Sequence, residues 1–400
     1  MNQKYISLRP IIIVANSSFY LVHYRKLLLN DLVKNNHIIT ISPTDKYTNE
    51  LSKISIHLPW RINRSNDLNP ASFIISFIRL IFLIRAIKPK LVHSHTLKSN
   101  LIVSIICFFY SIPCVISFTG LGRLSKSKKH NLIFKATLKT IIFFSLRKKN
   151  SNFKFHRDLN RSRLIFQNPK DKSYIESINN SVKSISKIIY GSGLPKEYFS
   201  SKKIKSFAWE DNNIDKTIPK IQFIFCARLL ISKGIETFLK LADLFKEHEF
   251  LVYGEIDKSS KDSISESRLQ TLSNKRNIYL KGYISNPLLN LDCSNPVLIL
   301  PTYYGEGMPR GILEAFSLNV PIICSKSATC NIFNTENLYI AENENINEYK
   351  KKINELIADF KNGSLKDKLI NSKNLSKIYS EEIIVSKTIS IYKDILLENF

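Results

Sequence analysis

A short apolar run, a longer stretch with helical spacing, then another short apolar run: this alternation organises the chain from end to end, and it occurs in two series. Ile11–Ala15 is continuously apolar, as a parallel strand covered on both faces requires. Tyr20–Asn35 has helical spacing, and Ile38–Ser42 is the next strand. Pro70–Ile87 reads as a helix, Leu91–His93 as a strand, then a helix from Leu97 and a strand at Val115–Phe118. Leu164–Phe166 and Ile188–Tyr190 close the first series. Residues 200–220 are polar and lack apolar periodicity, which predicts a linker.

The pattern then restarts. Strands are expected at Gln222–Ala227, Glu249–Tyr253, Ile278–Leu280, Val297–Leu300 and Pro321–Cys324, and helices at Gly234–Glu247 and Arg310–Leu318. Such a βαβα order predicts an α/β fold of two doubly wound, Rossmann-like parallel-sheet domains. The expected division is residues 1–199, a linker at 200–220, a second domain at 221–380, and a C-terminal helix at 381–400 that packs back toward the first domain. At 400 residues, the chain exceeds what one core of ~250–300 residues serves.

Composition excludes some classes. Hydrophobic residues make up 44% of the chain, too many for a disordered protein. The six cysteines form no C-x-x-C pair and sit mostly in apolar runs, which reads as buried thiols rather than a disulfide framework. Leu101–Phe118 carries no charge, but Pro113 divides it into a buried helix and a strand rather than a membrane span. No secretion signal is evident at the start. The net charge of +26 fits nucleic acid, an anionic membrane or phosphorylated substrates, and also the Lys- and Asn-rich composition of AT-rich coding. No nucleic-acid recognition pattern accompanies it, so no nucleic-acid partner is expected.

Two segments carry the chemistry. Ala227-Arg228-Leu229-Leu230-Ile231-Ser232-Lys233-Gly234 lies between a strand and a helix. Free backbone N–H groups and the positive end of a helix dipole make that place an anion site, and Arg228 and Lys233 add two cations suited to a diphosphate. The second segment is Tyr304-Gly305-Glu306-Gly307-Met308-Pro309-Arg310, running into Glu314. Gly305 and Gly307 let a ligand approach the backbone, Pro309 suits a first helical turn, and Glu306 and Glu314 flank the helix start. Carboxylates repel phosphate, so these two are expected to meet sugar and ribose hydroxyls. No D-x-D metal motif is present, and neither a metal nor a cofactor is called for.

These two segments, with Glu306 and Glu314 in E-x7-E spacing, resemble the donor-site motifs of the retaining GT-B glycosyltransferases of family GT4. Val92-His93-Ser94-His95-Thr96 is similar to the family's H-x-H segment, and Ser117 to Leu124 to its T-G-L-G turn. Leu164 to Asn168 and Tyr190 to Pro195 resemble the strands leading to its hinge. The resemblance implies a GT-B fold, a nucleotide-diphosphate sugar donor, and a lipid-linked, polyprenyl diphosphate acceptor of the kind extended in O-antigen or capsule synthesis. It implies that Arg228 and Lys233 hold the diphosphate, that Glu306 approaches the transferred sugar beside the backbone of Gly307 and Met308, and that Glu314 binds ribose. It implies an acceptor side around His95, Thr119, Gly120, Ser17 and Ser18. Two departures stand out. Thr119 occupies the place before the turn glycine where many relatives have His, and the first loop is Asn16-Ser17-Ser18-Phe19 where the family often has Gly-Gly.

Arg123, Lys126, Lys128, Lys129 and His130 form a basic loop, continued by Lys135, Lys139, Arg147, Lys148 and Lys149 with apolar residues interleaved. That pattern predicts binding to an anionic membrane surface by a cytoplasmic, peripheral enzyme. The rival enzyme class is a nucleotide-sugar epimerase of the same fold, which would convert the donor without an acceptor.

Overall fold

The computed structural model describes residues 9–62, 70–121, 131–146, 161–200, 220–258, 260–292, 294–330, 332–333, 338–342 and 345–397. The chain divides into two compact units. Unit 1 is Met1–Gly193 with Glu381–Phe400, and unit 2 is Leu194–Ser380. The C-terminal segment therefore belongs to unit 1. The linker expected at 200–220 lies almost wholly outside the described residues.

Unit 1 runs β1 (Ile11–Val14), α1 (Ser18–Tyr24), α2 (Lys26–Val33), β2 (Ile38–Ser42), α3 (Thr48–Ser52), β3 (Ile56–Pro59), α4 (Pro70–Ile87), β4 (Leu91–His95), α5 (Leu97–Tyr110), β5 (Cys114–Phe118), α6 (Asn131–Leu146), β6 (Ser162–Phe166), α7 (Pro169–Ile178) and β7 (Ser186–Ile188). Its sheet is parallel, in the order β3-β2-β1-β4-β5-β6-β7. Strand residues alternate between two cores. Ile12, Val14, Val92 and Ile116 pack on one face under α4, α5 and α6; Ile11, Ile13, Leu91 and Val115 pack on the other. Both faces are covered, which is why the central strand β1 is apolar at every position rather than alternating with polar residues.

Unit 2 runs β8 (Gln222–Cys226), α8 (Ile235–Leu244), β9 (Glu249–Tyr253), α9 (Glu266–Ser273), β10 (Ile278–Gly282), β11 (Pro296–Leu300), α10 (Arg310–Ser317), β12 (Ile322–Ser325), β13 (Tyr339–Ala341), α11 (Ile346–Asn362) and α12 (Ser364–Lys377). Its parallel sheet has the order β10-β9-β8-β11-β12-β13. The order reverses between β8 and β11, and ligands of open α/β sheets bind at the carboxyl ends beside such a switch. Helix α13 (Glu381–Leu397) closes unit 1, burying Ile384, Ile391 and Tyr392 in its second core.

Several expectations need correction. The helix read at Tyr20–Asn35 is two helices broken at Arg25, whose backbone (φ −135°, ψ 8°) is non-helical. Neither Pro nor Gly marks the break; the Arg25 side chain is drawn inward to the Tyr20 hydroxyl. The strand read at Ile188–Tyr190 is shifted to Ser186–Ile188. Edge strands β3 and β13 were not foreseen, being short and, in β3, largely exposed.

Candidate active site

The unit 2 site is built where β8 and β11 end. After β8, the chain crosses Ala227–Lys233 and enters α8 through Gly234. Gly234 has φ +82°, and a Cβ there would lie 2.2 Å from the Pro301 carbonyl oxygen, so only glycine lets this turn press against the end of β11. Gly254, after β9, is equally constrained, since a Cβ would lie 2.0 Å from the Ala227 carbonyl oxygen. The loops that follow β8 and β11 are stapled together by backbone. The Ser232 carbonyl accepts from the N–H groups of Tyr303 and Tyr304 at 3.0 and 3.1 Å.

That stapling brings the charged residues together. Lys233 Nζ forms an ion pair with Glu306 Oε1 and lies 4.8 Å from the centre of the Tyr304 ring. The Thr302 hydroxyl is 3.3 Å from the same Glu306 oxygen. Arg228, more exposed, pairs with Asp257 at 2.8 Å and also feels the Glu306 charge. Arg310 Nε donates to Glu314 Oε1 at 2.7 Å, and its NH2 reaches Asn286 at 3.3 Å. Glu314 is buried, not a solvated helix residue. Burial raises its carboxyl pKa above the usual range, and the Arg310 guanidinium opposes that rise. Beside it sits the Tyr198 phenol, pushed far up by burial and by the Glu314 charge.

Each charged unit 2 candidate, Arg228, Lys233, Glu306 and Glu314, thus has an ion-pair partner. Pro309 is the N-cap of α10, one residue earlier than the first-turn position expected for it. Gly305 and Gly307 take no positive φ, so whatever they contribute is space rather than a left-handed turn. Asp257, Arg310 and Tyr198 were missed. The Arg310–Glu314 spacing of four on one helix was a readable signal. Asp257 comes from an irregular loop and Tyr198 from a single 3-10 turn, Lys196–Tyr198, neither of which has a spacing that carries one.

In unit 1 the candidates gather at the carboxyl ends of β1, β4 and β5. Ser17 caps α1, accepting from the Tyr20 N–H at 3.1 Å. Ser18 is buried and bonded to Ser42 Oγ and the Pro43 carbonyl, both at 3.0 Å. The Ser18 hydroxyl is therefore engaged inside the fold, and the Ser17 oxygen serves as a helix cap. Thr119 and Gly120 are half-buried after β5, and Gly120 has φ +103°. His95 ends β4, fully buried, with Nδ1 3.3 Å from the Tyr20 hydroxyl. His93, not among the candidates, bridges Tyr392 Oη at 2.5 Å and Ser117 Oγ at 2.7 Å, tying α13 to the sheet. The basic loop at 123–130 and residues 147–149 lie outside the described residues.

Residues 210–373 match the family described as Glycosyl transferases group 1, and residues 11–153 match the one described as Glycosyl transferase 4-like. The capsular polysaccharide biosynthesis glycosyltransferase CapM of Staphylococcus aureus is 23% identical over 367 residues, covering 88% of each chain. The poly(ribitol-phosphate) alpha-N-acetylglucosaminyltransferase of S. aureus (strain COL) is 27% identical over 176 residues, 42% of this chain; the match spans 34% of that relative's own length. Among solved structures, Anabaena HepE in complex with UDP superposes with a TM-score of 0.69 at 14% identity, covering 96% of this chain and 100% of that one. The sucrose-phosphate synthase of Thermosynechococcus elongatus gives 0.71 at 14%, covering 97% and 100%. These structures share the GT-B fold of two Rossmann-like domains.

Proposed function

We infer, from the premise that this chain belongs to the GT4-type glycosyltransferases, that it moves a sugar from a nucleotide-diphosphate sugar to a lipid-linked glycan in surface-polysaccharide synthesis. The donor is a UDP-hexose or a UDP-N-acetylhexosamine, and transfer retains the anomeric configuration. One observation carries the reading. Arg228 and Lys233 sit on the loop from β8 to α8, beside Glu306 at the start of the β11–α10 connection, so two cations face a site that also holds carboxylates. UDP held by Anabaena HepE and the capsular assignment of CapM support the same direction.

The chemistry follows from the charges. In sugar transfer the bond from the anomeric carbon to the diphosphate breaks, and negative charge develops on the departing phosphate. Arg228 and Lys233 exchange Asp257 and Glu306 for the diphosphate and stabilise that charge. Glu306, released from Lys233, turns to the hydroxyls of the transferred sugar, with the backbone of Gly307 and Met308 beside it. Glu314, held by Arg310, takes the ribose hydroxyls. A phosphate oxygen of the donor receives the acceptor proton, so no side-chain nucleophile is required.

A lipid-linked acceptor places the reaction at a membrane, on its cytoplasmic face, and unit 1 has a surface that suits one. On α4, Ile75 and Phe82 are 64% and 65% exposed, and on α6 Leu132 is 85% exposed. Arg79, Arg85, Lys135 and Lys139 are exposed on the same two helices. Residues 68–157 contain 16 Lys or Arg and not one Asp or Glu. Apolar stripes with cations and no acids fit an anionic headgroup layer. No helix among the described residues is long and apolar enough to cross a membrane.

A panel of nucleotide sugars offered with a polyprenyl-diphosphate-linked sugar, followed by mass and by the anomeric coupling of the product, tests the reading. One donor extends the acceptor by one sugar of unchanged anomeric configuration. Conversion of a donor to its epimer without acceptor, or an inverted product, overturns it.

A further inference from the structure

Unit 1 holds a cation whose surroundings the transfer chemistry leaves unexplained. Arg25, between α1 and α2, is 7% exposed. Its Nε donates to the Tyr20 hydroxyl at 3.1 Å and its NH1 to the Gly191 carbonyl at 3.5 Å, and among the described residues it has no ion-pair partner. A buried guanidinium without a counter-charge lowers stability, so its retention calls for a compensating role.

The neighbouring imidazole has the same deficit. Having accepted from Arg25, the Tyr20 hydroxyl turns its own hydrogen to His95 Nδ1, 3.3 Å away. Burial holds the His95 pKa well below its usual value, aided by His93 and Arg25, so the ring is neutral. With Nδ1 accepting, the ring proton sits on Nε2, a buried nitrogen that has no hydrogen-bond partner. Nε2 of His95 is thus a buried donor awaiting an acceptor, and the Arg25 guanidinium is tied to the same ring through the Tyr20 hydroxyl.

Their place in the fold says what kind. His95 ends β4, Tyr20 follows β1, and Gly191 follows β7, all beyond the carboxyl ends of parallel strands. Thr96, next in the chain, begins α5 without capping it through its side chain, and as a β-branched residue at φ +76° it sits in a strained conformation. Thr96, Lys98, Thr119 and Gly120 around these strand ends are only half-buried, so the edge can be reached. A guanidinium, an imidazole N–H and a helix start thus come from separate parts of the chain to the same strand ends, a donor set that suits a phosphate oxyanion.

We propose that Arg25 and His95, with the start of α5, form a phosphate site in unit 1, and that during transfer the phosphate bound there belongs to the acceptor. The second part rests on the transferase reading above; the first does not.

Inorganic phosphate titrated into the full chain, with ring-¹⁵N histidine followed by NMR, tests the first part. Lys233→Ala serves as the background, to disable the unit 2 anion site. The His95 Nε2 resonance shifts saturably with phosphate, and the response disappears in Arg25→Gln. Because Arg25→Gln removes an uncompensated buried charge, it unfolds at a higher temperature than its parent when phosphate is absent, which separates lost binding from lost fold. Arg25→Lys, with the charge but not the fork, weakens phosphate binding by roughly tenfold. A His95 resonance indifferent to phosphate, or equally responsive in Arg25→Gln, overturns the site. For the second part, Arg25→Gln in the otherwise unmodified enzyme raises KM for a diphosphate-linked acceptor by roughly tenfold or more and leaves the donor KM alone. An unchanged acceptor KM beside an intact phosphate response assigns the site to free phosphate and overturns the acceptor role. Failure of the transferase reading itself appears as absence of any transfer by the unmodified enzyme, with the NMR result standing.

Discussion

Lys233 and Glu306, 73 residues apart in sequence, form an ion pair that is mostly buried, with the Thr302 hydroxyl 3.3 Å from the same carboxylate oxygen. The cation proposed to grip a diphosphate is therefore held by an internal carboxylate until the ligand arrives. Removing either member has opposite consequences. In Lys233→Ala, nucleotide binding loses a charge-assisted contact, about 1.5–3 kcal/mol or ~10–150-fold, and Glu306 is left without its partner. In Glu306→Gln, Lys233 is freed of its competitor, so UDP binds more tightly while kcat falls because the sugar loses its carboxylate. Calorimetry with UDP alongside steady-state kinetics distinguishes them; a weaker UDP affinity in Glu306→Gln would contradict the exchange.

Arg228 differs in exposure. Its side chain is 54% exposed, so its pairing with Asp257 contributes only about 0–1 kcal/mol to stability. Arg228→Ala is expected to melt within a degree or two of the unmodified protein, yet to lose activity by ~10-fold or more through the diphosphate contact. Near-normal turnover in the folded variant would remove Arg228 from the site.

The alternation of apolar runs and helical stretches was enough to read two parallel-sheet units, because strands buried on both faces must be apolar at every position, as Ile11–Val14 are. Arg228, Lys233, Glu306 and Glu314 stood out as candidates because they lie on or just beyond strand-to-helix loops, where ligands of open α/β sheets bind. What was not legible depends on partners distant in sequence. Nothing near Arg25 announces a helix break, since its cause lies in the tertiary contacts of the side chain with Tyr20 and Gly191. Ser17 and Ser18 read as ligand groups, but a cap and the distant Ser42 and Thr48 already engage their hydroxyls. Asp257 lies in an irregular loop where spacing carries no signal.

Glu314 and Arg310 give a pH test. Both are largely buried, and Arg310 is what moderates the burial-driven rise of the Glu314 carboxyl pKa. In Arg310→Met the folded-state pKa of Glu314 rises further above its unfolded value of about 4.3. The resulting penalty is absent below that unfolded value and grows as pH rises through the shifted one. The variant is thus expected to lose more stability at pH 8 than at pH 4.5, by about 3 kcal/mol at the upper pH. Urea unfolding at the two pH values checks it; an equal loss at both would mean that Glu314 does not depend on Arg310. Glu314→Ala, in contrast, is expected to weaken UDP binding through the proposed ribose contact, which calorimetry checks.

The membrane reading makes a graded prediction. Binding to vesicles containing anionic lipid is expected to fall at high salt, because each Lys or Arg near such a surface contributes about 1 kcal/mol that ions screen. It should fall further when Ile75 and Phe82, exposed on α4, are changed to Glu. Co-sedimentation reads both. Equal binding to neutral vesicles, or no effect of the two substitutions, would leave that surface without this role.

Asp171, second in consequence only to the charged pairs, offers the clearest acid-range behaviour. It lies near the start of α7, where Asn168 Nδ2 donates to its carboxylate at 3.1 Å and the Leu121 backbone N–H also donates to it. Burial outweighs these bonds and raises its pKa to about 6. A carboxyl group with a raised folded-state pKa favours the fold while protonated. That contribution is full below the unfolded value of about 3.9 and is lost as pH rises through about 6. Above that pH the buried carboxylate is a standing cost, which Asp171→Asn removes while its amide oxygen still accepts from Leu121. The variant is therefore expected to be more stable than the unmodified protein at pH 8 by about 1–3 kcal/mol and nearly equal to it at pH 4. Because Leu121 directly follows Thr119 and Gly120, the same substitution should leave UDP affinity untouched and alter only acceptor kinetics, if it alters either. Chemical unfolding at pH 4 and pH 8 decides the matter: a difference that does not grow with pH would show that Asp171 is ionised in the fold throughout that range.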